Sequence, residues 1–414
     1  MRNFFKNRTG TLVALIILGA AARLAFAFYV GGQLKQPDEG IYIAQAEHIY
    51  QYGLPSYADM RTDRPPGTGS VILLAFLLSG VSLIKARILF ALLSSASIFI
   101  IYKYAEDISG RETALLAAAI AALYPFFIYW SGILTTETIS VFFITAALFF
   151  TGRFAAAQDK TVLYGALGGL CWGLLIMTRA QNLYFLPFLM GLLLWEKTHK
   201  TKPMALLLFF VLAAALPSLW MSKNYNDCGS FTIDTHGGLT LLINTAFYDE
   251  SRIDWGVGNK ALENSEIFKE TLKMTGAQKD RYYREKAVEY IKAQPARFLW
   301  TRLKNFAQFW RFYPRTDLKI VHGSPFLNQK HSYFTVISLL TEPWLILLGL
   351  YALLRAAKAR ETRILLPLLF VLFTTALHTL VFSQMRYRLV LMPILIVFAV
   401  FGFEKHKLEK RASD

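Results

Sequence analysis

Two adjacent acids, Asp38 and Glu39, stand in the stretch QPDEGIYIAQAEHIYQYG, soon after a long apolar block. A carboxylate held in place beside a hydroxyl can act as its general base. The same acids also suit a helix start. We expect Asp38 to be the N-cap of a helix through GIYIAQAEHIYQY, with Glu39 in its first turn. Both roles remain open, because a capping carboxylate is held rigidly, as a base must be.

Further charged residues could join these acids in one site. Arg64 lies in the motif DRPPG, Glu137 ends the segment SGILTTE, and Arg386 and Arg388 flank Tyr387 in SQMRYR. Arginine binds a phosphate through a planar fork of N–H donors, and a carboxylate can take a proton from a hydroxyl. The combination suits displacement of a lipid phosphate by an alcohol. Arg386 and Arg388 would serve equally as anchors at a helix end, so both interpretations remain open.

The elements that must position these residues are membrane helices. The 414-residue chain is 55% hydrophobic, with a mean hydropathy of +0.38, and its apolar residues form long blocks. A helix needs about 20 apolar residues to cross a bilayer, or about 17 where the bilayer thins, and open strand edges find no partner in lipid. We predict an all-α polytopic membrane protein, with a retained first span and ten transmembrane helices near residues 11–30, 87–104, 113–130, 138–152, 162–178, 181–195, 203–222, 334–354, 364–382 and 389–403.

One apolar segment, residues 70–83, is shorter than a typical span, and whether it crosses decides the orientation. If it lies along the outer interface and the N-terminus is cytoplasmic, three basic segments fall on the cytoplasmic side, as the positive-inside rule requires. If it crosses, all three fall outside. We therefore place both termini in the cytoplasm and 70–83 on the outer surface. The basic segments are EKTHKTK (196–202), RAAKARETR (355–363) and EKHKLEKR (404–411).

This topology divides the chain into three parts. Residues 1–222 form a first transmembrane module with an outer loop at 31–86, residues 223–333 form an outer-face subdomain, and residues 334–414 form the last spans and a cytoplasmic tail. Within the subdomain, DRYYREKAVEYIKAQPARFLWTRLKNFAQFW predicts two helices. Pro295 suits the start of the second, a basic amphipathic helix fit to lie on a membrane surface.

The net charge of +16 would suggest a nucleic-acid partner in a soluble protein. Here the basic residues stand at the ends of apolar blocks, where they set topology and contact lipid headgroups. We expect membrane lipids and no nucleic acid as partners. Cys171 lies inside an apolar block and Cys228 in a polar loop, so a disulfide between them is not expected.

Several of these segments together resemble one family. PDEGIYIAQA…QYG followed by DRPPGTG is similar to the first outer loop of the GT-C glycosyltransferases, in particular family 39-like protein mannosyltransferases and bacterial transferases of aminoarabinose to lipid A. GILTTETISVFF resembles their second outer loop, and MRYRLVLMPILI resembles their final RY…P segment. The resemblance implies a GT-C fold, with interfacial helices in the first outer loop and a small helical cap on the outer face.

The resemblance also implies an activity. It is inverting transfer of a sugar from a polyprenyl-phosphate donor to a hydroxyl of a cell-envelope acceptor, which is a lipid, a glycan or a protein. Asp38 matches the acid of the first-loop motif, which implies a general base or an orienter of the acceptor. Glu39 follows it as in the family, and Glu137 matches the second-loop acid.

The resemblance places a donor-phosphate site beside these acids. Arg64 sits where relatives carry a basic residue that holds the phosphate, and Arg386, Tyr387 and Arg388 belong to the final motif. No cofactor is expected to be obligatory. A divalent metal ion remains open, with Asp63 and His236 as weak candidate ligands.

The sequence departs from these relatives on the acceptor side. It lacks the large outer domains of eukaryotic protein mannosyltransferases and has fewer spans after the long loop than the aminoarabinose transferases. The sugar and the acceptor therefore do not carry over. We expect a bacterial cytoplasmic (inner) membrane, with the active site facing the periplasm.

Two other classes compete with an enzyme. A flippase for a lipid-linked sugar would show polar residues near the bilayer midplane and repeat symmetry. Arg23, Glu342 and His378 are the candidates, but no repeat is visible and the polar signals crowd one face. A non-catalytic scaffold would need Asp38 for stability only.

Overall fold

The computed structural model describes residues 8–53, 64–156, 159–195, 203–247, 255–313 and 332–413. Their regular structure is helical throughout. The first nine α-helices are α1 Arg8–Val30, α2 Pro37–Tyr52, α3 Gly67–Ser79, α4 Leu83–Ser109, α5 Arg111–Leu123, α6 Pro125–Ser131, α7 Thr136–Ala156, α8 Thr161–Thr178 and α9 Leu186–Trp195. The others are α10 Pro203–Cys228, α11 Gly237–Ile243, α12 Trp255–Glu263, α13 Glu266–Glu270, α14 Gly276–Ala293, α15 Pro295–Phe309, α16 Ser332–Ala356, α17 Thr362–Leu380 and α18 Met392–Ser413.

The predicted transmembrane helices are present in the described chain. Eight helices are long and apolar enough to cross a membrane, and α5 with α6, bent by 52°, is a ninth if the pair is counted as one span. These nine coincide with nine of the ten predicted spans. The remaining one, 181–195, is a shorter apolar segment, Ala180–Trp195, that begins as a 3₁₀ helix. The block at 70–83 corresponds to α3, which at 13 residues is too short to cross alone.

The bend between α5 and α6 has a local cause and a local repair. Pro125 begins α6 and has no N–H to donate to the carbonyl four residues earlier. Arg23, fully buried in α1, donates to that carbonyl, Ala121 O, at 2.9 Å, and to Ala122 O at 2.8 Å. It also donates to Ser94 Oγ at 2.8 Å. Arg23 is therefore part of the packing between α1, α4 and α5, which accounts for its charge inside an apolar helix.

The bundle has two polar ends. At one end, the ion pairs Arg8–Glu112, Arg111–Glu106 and Arg153–Asp107 tie α1, α4, α5 and α7 together. We call this the opposite end. The other end carries Asp38, and we call it the Asp38 end. Helices α2, α4, α7 and α18 begin at this end, and helices α1, α6, α8 and α17 end there.

The spans pack closely because small residues face the contacts. In α8, a Cβ on Gly169 would lie 2.1 Å from Phe209 O, and one on Gly173 would lie 2.9 Å from Leu212 O, both in α10. Close backbone approach of this kind is how membrane helices gain van der Waals contact without a hydrophobic effect between them. The bundle thus holds the residues at its ends at fixed positions.

The predicted helix pair of the long loop is confirmed. Pro295 begins α15 directly after α14 ends. Arg302 of α15 does not lie on the membrane surface as expected. It is 5% exposed and donates to Asn244 O at 2.8 Å and to Leu380 O. Arg302 therefore caps the end of α17 rather than facing lipid headgroups. Leu299, Trp300, Leu303 and Phe306 form the exposed apolar face of the helix.

Candidate active site

The start of α2 differs from the predicted cap. Gln36, not Asp38, is the N-cap residue, and Pro37 takes the first helical position. Glu39 closes the cap by accepting from Gln36 N at 2.9 Å. Proline before Asp38 moves the helix start back by two residues, because its fixed φ suits the first helical turn. Asp38 therefore has no capping duty, and its carboxylate is available for other contacts.

Glu39 anchors the helix that carries Asp38. It is fully buried, and Arg87 Nη1 of α4 donates to its Oε1 at 2.6 Å. Leu134 N donates to the same oxygen at 3.0 Å, while Lys35 N and Gln36 N donate to Oε2 at 2.7 and 2.9 Å. Arg87 in turn donates to backbone carbonyls at the end of α1 and in the α6–α7 turn. Four segments are thus joined at one buried carboxylate.

Close packing of α3 brings Arg64 to the site. A Cβ on Gly67 would lie 2.6 Å from Met177 O at the end of α8, and one on Gly69 would lie 2.2 Å from Gln45 Oε1 of α2. Only glycine leaves room for α3 at this distance from both neighbours. The GTG that follows DRPP is therefore a packing motif that holds the beginning of α3, and with it Arg64, against the start of α2.

Asp38 lies between two arginines. Arg386 Nη2 donates to its Oδ2 at 2.7 Å, and Arg64 Nη2 lies 3.8 Å from its Oδ1. The Asp38 side chain keeps 29% of its surface exposed, so it is reachable from solvent. Burial raises the pKa of Asp38, but the charges of Arg386 and Arg64 outweigh that effect and hold the pKa below its ordinary value. Asp38 is therefore ionised at neutral pH.

Arg386 connects the two ends of the chain at this point. It lies in a 3₁₀ helix, Met385–Leu391, that leads into α18. Its Nε donates to Gln384 Oε1 at 2.7 Å and lies 3.9 Å from Glu137 Oε1, at the first turn of α7. Asp38, Glu137, Arg64 and Arg386, which the sequence analysis grouped into one site, therefore lie next to one another in the structure.

Arg179 is a member of the site that the sequence analysis missed. It is 5% exposed and donates from Nη2 to Glu137 Oε1 at 3.1 Å. Its guanidinium lies 5.5 Å from the ring centre of Tyr387, and that of Arg386 lies 5.3 Å from the same ring. The available signal was a charge at the end of an apolar block, in MTRAQN. The Oε2 atom of Glu137 and the Nε atom of Arg179 are buried without a hydrogen-bond partner in the described chain.

Arg388 does not join the other arginines. It is 1% exposed and donates from Nη1 to Phe309 O at 2.7 Å and to Arg311 O at 2.8 Å. Its Nη2 binds Glu342, which also accepts from the hydroxyl of Tyr124 at the α5–α6 bend. Arg388 therefore ties α15, α16 and the 3₁₀ helix together, and the predicted arginine pair splits into two separate environments.

The candidate metal ligands were also tested against the structure. His236, the residue before α11, is close enough to Asp38 and Arg64 to interact with their charges. Burial, reinforced by Arg64, lowers the pKa of His236 to about 3, so its ring is neutral at physiological pH. Asp63 lies outside the described residues. Among the described residues, no three His, Cys, Asp or Glu side chains lie close enough together to bind a metal ion. The carboxylates of Asp38 and Glu137 are paired with the guanidinium groups of Arg386 and Arg179.

The charge of the site favours an anion. Three guanidinium groups, those of Arg64, Arg179 and Arg386, face two carboxylates, those of Asp38 and Glu137. Such a site attracts a phosphate, which arginine binds through paired N–H donors. Its described residues do not fit a divalent cation, because each carboxylate is already paired with a cation.

Comparison with known proteins supports the predicted fold. Residues 63–221 match a family model described as dolichyl-phosphate-mannose-protein mannosyltransferase. That match is less than half of the chain, and it includes Arg64, Glu137 and Arg179. No curated protein sequence matches the chain.

Solved structures match over nearly the whole chain. The apo oligosaccharyltransferase of Archaeoglobus fulgidus superimposes with a TM-score of 0.57 at 15% identity, over 99% of this chain and 52% of that one. The same archaeal enzyme, AglB, with an inhibitory peptide and a dolichol-phosphate, gives 0.55 at 14% identity, over 99% and 52%. ArnT from Cupriavidus metallidurans bound to undecaprenyl phosphate gives 0.47 at 13% identity, over 94% and 77%.

The chain is therefore an integral membrane protein with the GT-C fold of membrane glycosyltransferases. It spans about half the length of the archaeal enzyme whose structure it matches. In sequence, its first half is similar to the protein mannosyltransferases over residues 63–221. The expected resemblance to GT-C glycosyltransferases is thus confirmed, in sequence over residues 63–221, which include DRPPG, and in fold over nearly the whole chain. The DE and RYR motifs lie outside the sequence match.

Proposed function

We propose that this protein is a glycosyltransferase that moves a sugar from a polyprenyl-phosphate donor to a hydroxyl of a cell-envelope acceptor, with inversion. The observation that carries the proposal is the position of Asp38 between Arg64 and Arg386, in a site whose described residues include three guanidinium groups and two carboxylates. An ionised carboxylate suits proton abstraction from a hydroxyl. Adjacent guanidinium groups suit a phosphate leaving group. The archaeal relative, whose structure includes a dolichol-phosphate, supports a donor of this chemical class.

The chemical step is a single displacement. The acceptor oxygen attacks the anomeric carbon on the face opposite the phosphate, and Asp38 takes the hydroxyl proton. The bond from the anomeric carbon to the phosphate oxygen breaks, and its electron pair stays on the polyprenyl phosphate. Arg386 and Arg64 offset the negative charge that develops there. One carboxylate suffices, since retention would need a second carboxylate about 5 Å away to act as a nucleophile.

Donor binding and base activation are coupled in this arrangement. Before the donor binds, Arg386 is engaged by Asp38, and this pairing lowers the pKa and the basicity of the carboxylate. A donor phosphate that draws Arg386 toward itself weakens the pair. The pKa of Asp38 then rises, because a nearby positive charge stabilises its ionised form less. Asp38 thus becomes a stronger base when the donor is in place.

The other acids and arginines have positioning roles in this mechanism. Glu39, with no exposed surface and a full set of partners, fixes the start of α2. Arg388 holds the 3₁₀ helix that presents Arg386 and Tyr387. Glu137 and Arg179 orient one another beside Arg386. Only Asp38, Arg64 and Arg386 are assigned direct contact with substrate.

A metal ion has no step in this proposal. The archaeal relative has been described in complex with Zn and sulfate. In the present chain, the described carboxylates of the site are paired with arginines. In this mechanism arginine supplies the electrostatic stabilisation.

The topology of the reaction follows from the distribution of basic residues. The positive-inside rule assigns the opposite end, with its basic turns, to the cytoplasm. The Asp38 end then faces outward, which is the periplasm in a bacterial inner membrane. The donor's lipid tail would lie between spans. The exposed apolar face of α15 suits contact with the membrane lipid around that tail.

The test is release of polyprenyl phosphate from labelled polyprenyl-phosphate sugars by purified protein in nanodiscs, with a crude envelope fraction as the acceptor. Wild type should release it. Asp38→Asn should reduce release at least about 100-fold and keep the affinity for the donor. Asp227→Asn, in a partly buried Asp–Lys pair at the end of α10, is the control and should behave as wild type. Full activity of Asp38→Asn would overturn the base assignment, and absence of release from every donor would overturn the proposed function.

A further inference from the structure

Two clefts open at the opposite end of the bundle, away from the proposed catalytic site. Their volumes are about 400 and 440 Å³. Arg363, at the start of α17, and Ile108, near the end of α4, line both clefts. The clefts therefore lie on the two sides of one arginine, at the ends of membrane-spanning helices.

Basic side chains outnumber acidic ones around the two clefts. The cations are Arg355, Lys358 and Arg363 in one cleft and Arg153, Lys160 and Arg363 in the other; the acids are Glu361, Asp107 and Asp159. Two of the acids are engaged internally, Asp107 by Arg153 and Glu361 by Arg363. Among the described residues, Lys160 and Lys358 take part in no ion pair. Asp159, beside Lys160, takes part in none either, so five cations and three acids leave the described lining of the two clefts with a net positive charge.

The clefts are formed in advance of any ligand. Arg153 binds both carboxylate oxygens of Asp107, and Arg363 Nη1 donates to the backbone carbonyl of Asp107 at 3.2 Å. These contacts join α4, α7 and α17. Part of the lining is apolar, with Phe401 in one cleft and Phe149 in the other. A ligand that fits both parts has an anionic group at the level of the helix ends and hydrocarbon below it.

The turns that border the clefts add a second observation. Lys160 and Arg360 are the two non-glycine residues with a positive φ in the described chain, at 56° and 55°. Lys160 lies directly before α8 and lines one cleft, and Arg360 lies in the turn beside the other. Glycine or asparagine would adopt this conformation at lower cost. Both turns instead place a basic residue there.

We propose that these clefts bind the phosphate-bearing headgroup of an anionic lipid from the leaflet at the opposite end. Lys160 and Lys358 attract the phosphate, and Arg363 divides the two clefts. Basic pockets between transmembrane helices are suited to such headgroups, and the lipid's hydrocarbon matches the apolar lining. This site is separate from the proposed sugar-transfer site and does not depend on it.

The experiment measures retention of phosphatidylglycerol and phosphatidylcholine by the full-length protein, using native mass spectrometry in detergent. Wild type should retain phosphatidylglycerol selectively. Lys160→Gln/Lys358→Gln should lower the affinity of each cleft about fivefold, since each cleft loses one basic side chain and one such side chain near an anionic surface is worth about fivefold. The matched control is Lys273→Gln/Lys292→Gln, which removes two exposed lysines, one in the turn after α13 and one near the end of α14, and should leave retention unchanged.

Soluble anions distinguish the source of the phosphate. Glycerol 3-phosphate and inorganic phosphate should not displace the bound lipid if hydrocarbon contributes to its binding. Displacement by either anion at millimolar concentration would overturn the lipid assignment in favour of a soluble phosphate. Equal retention by Lys160→Gln/Lys358→Gln and wild type, with both proteins folded by thermal unfolding, would overturn the site itself.

Discussion

Arg386 donates a hydrogen bond from Nη2 to Oδ2 of Asp38 at 2.7 Å, across 348 residues of sequence. The pair joins the entrance to the last span to the start of the first interfacial helix. It also joins the proposed base to a proposed ligand of the leaving group. In the proposed mechanism, binding of the donor phosphate to Arg386 would therefore alter the basicity of Asp38 directly.

Removing Arg386 should change the pH dependence of transfer. The cation lowers the pKa of Asp38, so the base stays ionised as pH falls, and activity is lost only when pH passes below that lowered pKa. Arg386→Gln removes the cation and raises the pKa, so the acidic limb of kcat/KM should move to higher pH. Arg386→Lys retains a charge and should move the limb less. An unchanged limb in Arg386→Gln would mean that a group other than Asp38 titrates there.

Arg386 and Arg388, two residues apart, should separate function from stability. Arg386→Gln should lower transfer about 100-fold or more, with a small effect on unfolding because its pair with Asp38 is partly exposed. Arg388→Gln leaves Glu342 buried without its charged partner and should cost about 3–5 kcal/mol of stability. Its KM for the donor should rise less than that of Arg386→Gln, because Arg388 acts on the donor only through the 3₁₀ helix that it holds. Thermal unfolding and donor titration of both variants test whether Arg386 is functional and Arg388 structural. A large loss of stability in Arg386→Gln together with a large loss of transfer only in Arg388→Gln would reverse the two roles.

The buried pair of Glu39 and Arg87 should behave as a structural unit. Glu39→Gln and Arg87→Met should each destabilise the protein by about 3–5 kcal/mol, because each leaves a buried charge without its partner. The double variant should lose less than the sum of the two, which a double-mutant cycle of unfolding free energies measures. The exposed Glu266–Lys269 pair is the control and should contribute about 1 kcal/mol or less. Additive losses at Glu39 and Arg87 would argue against their coupling.

A methyl group on α3 should disturb both packing and the phosphate site. Gly67→Ala would place its Cβ 2.6 Å from the backbone oxygen of Met177, so α3 must move, at a cost of about 1–3 kcal/mol. Arg64 precedes this helix, so donor affinity should fall with stability. Gly40→Ala is the matched control, because a Cβ there meets nothing within 4 Å and alanine favours the interior of α2. Wild-type donor affinity in Gly67→Ala would separate Arg64 from the packing of α3.

Features that depend on local sequence were predicted well. Nine of the ten predicted spans coincide with helices able to cross a membrane, because the apolar residues of each span lie within one continuous segment. The α14–α15 pair was predicted because helical spacing and Pro295 are also local signals. The acids Asp38 and Glu137 and the arginines Arg64 and Arg386 were recognised as one group from their positions at span ends and from the family resemblance.

The partners of each side chain were decided only by the tertiary structure. Glu39 looks equivalent to Asp38 in sequence, yet it points into the protein toward Arg87 while Asp38 faces Arg386. Arg386 and Arg388 diverge because a 3₁₀ helix has three residues per turn, so side chains two positions apart point in different directions. Arg179 belongs to the site because the end of α8 lies beside the first turn of α7, a contact that the sequence does not show. The apolar residues of a span are consecutive in sequence, so a span can be predicted from the sequence alone. The partner of a buried charge comes from a distant segment, so an ion pair is known only when the tertiary structure shows which segments meet.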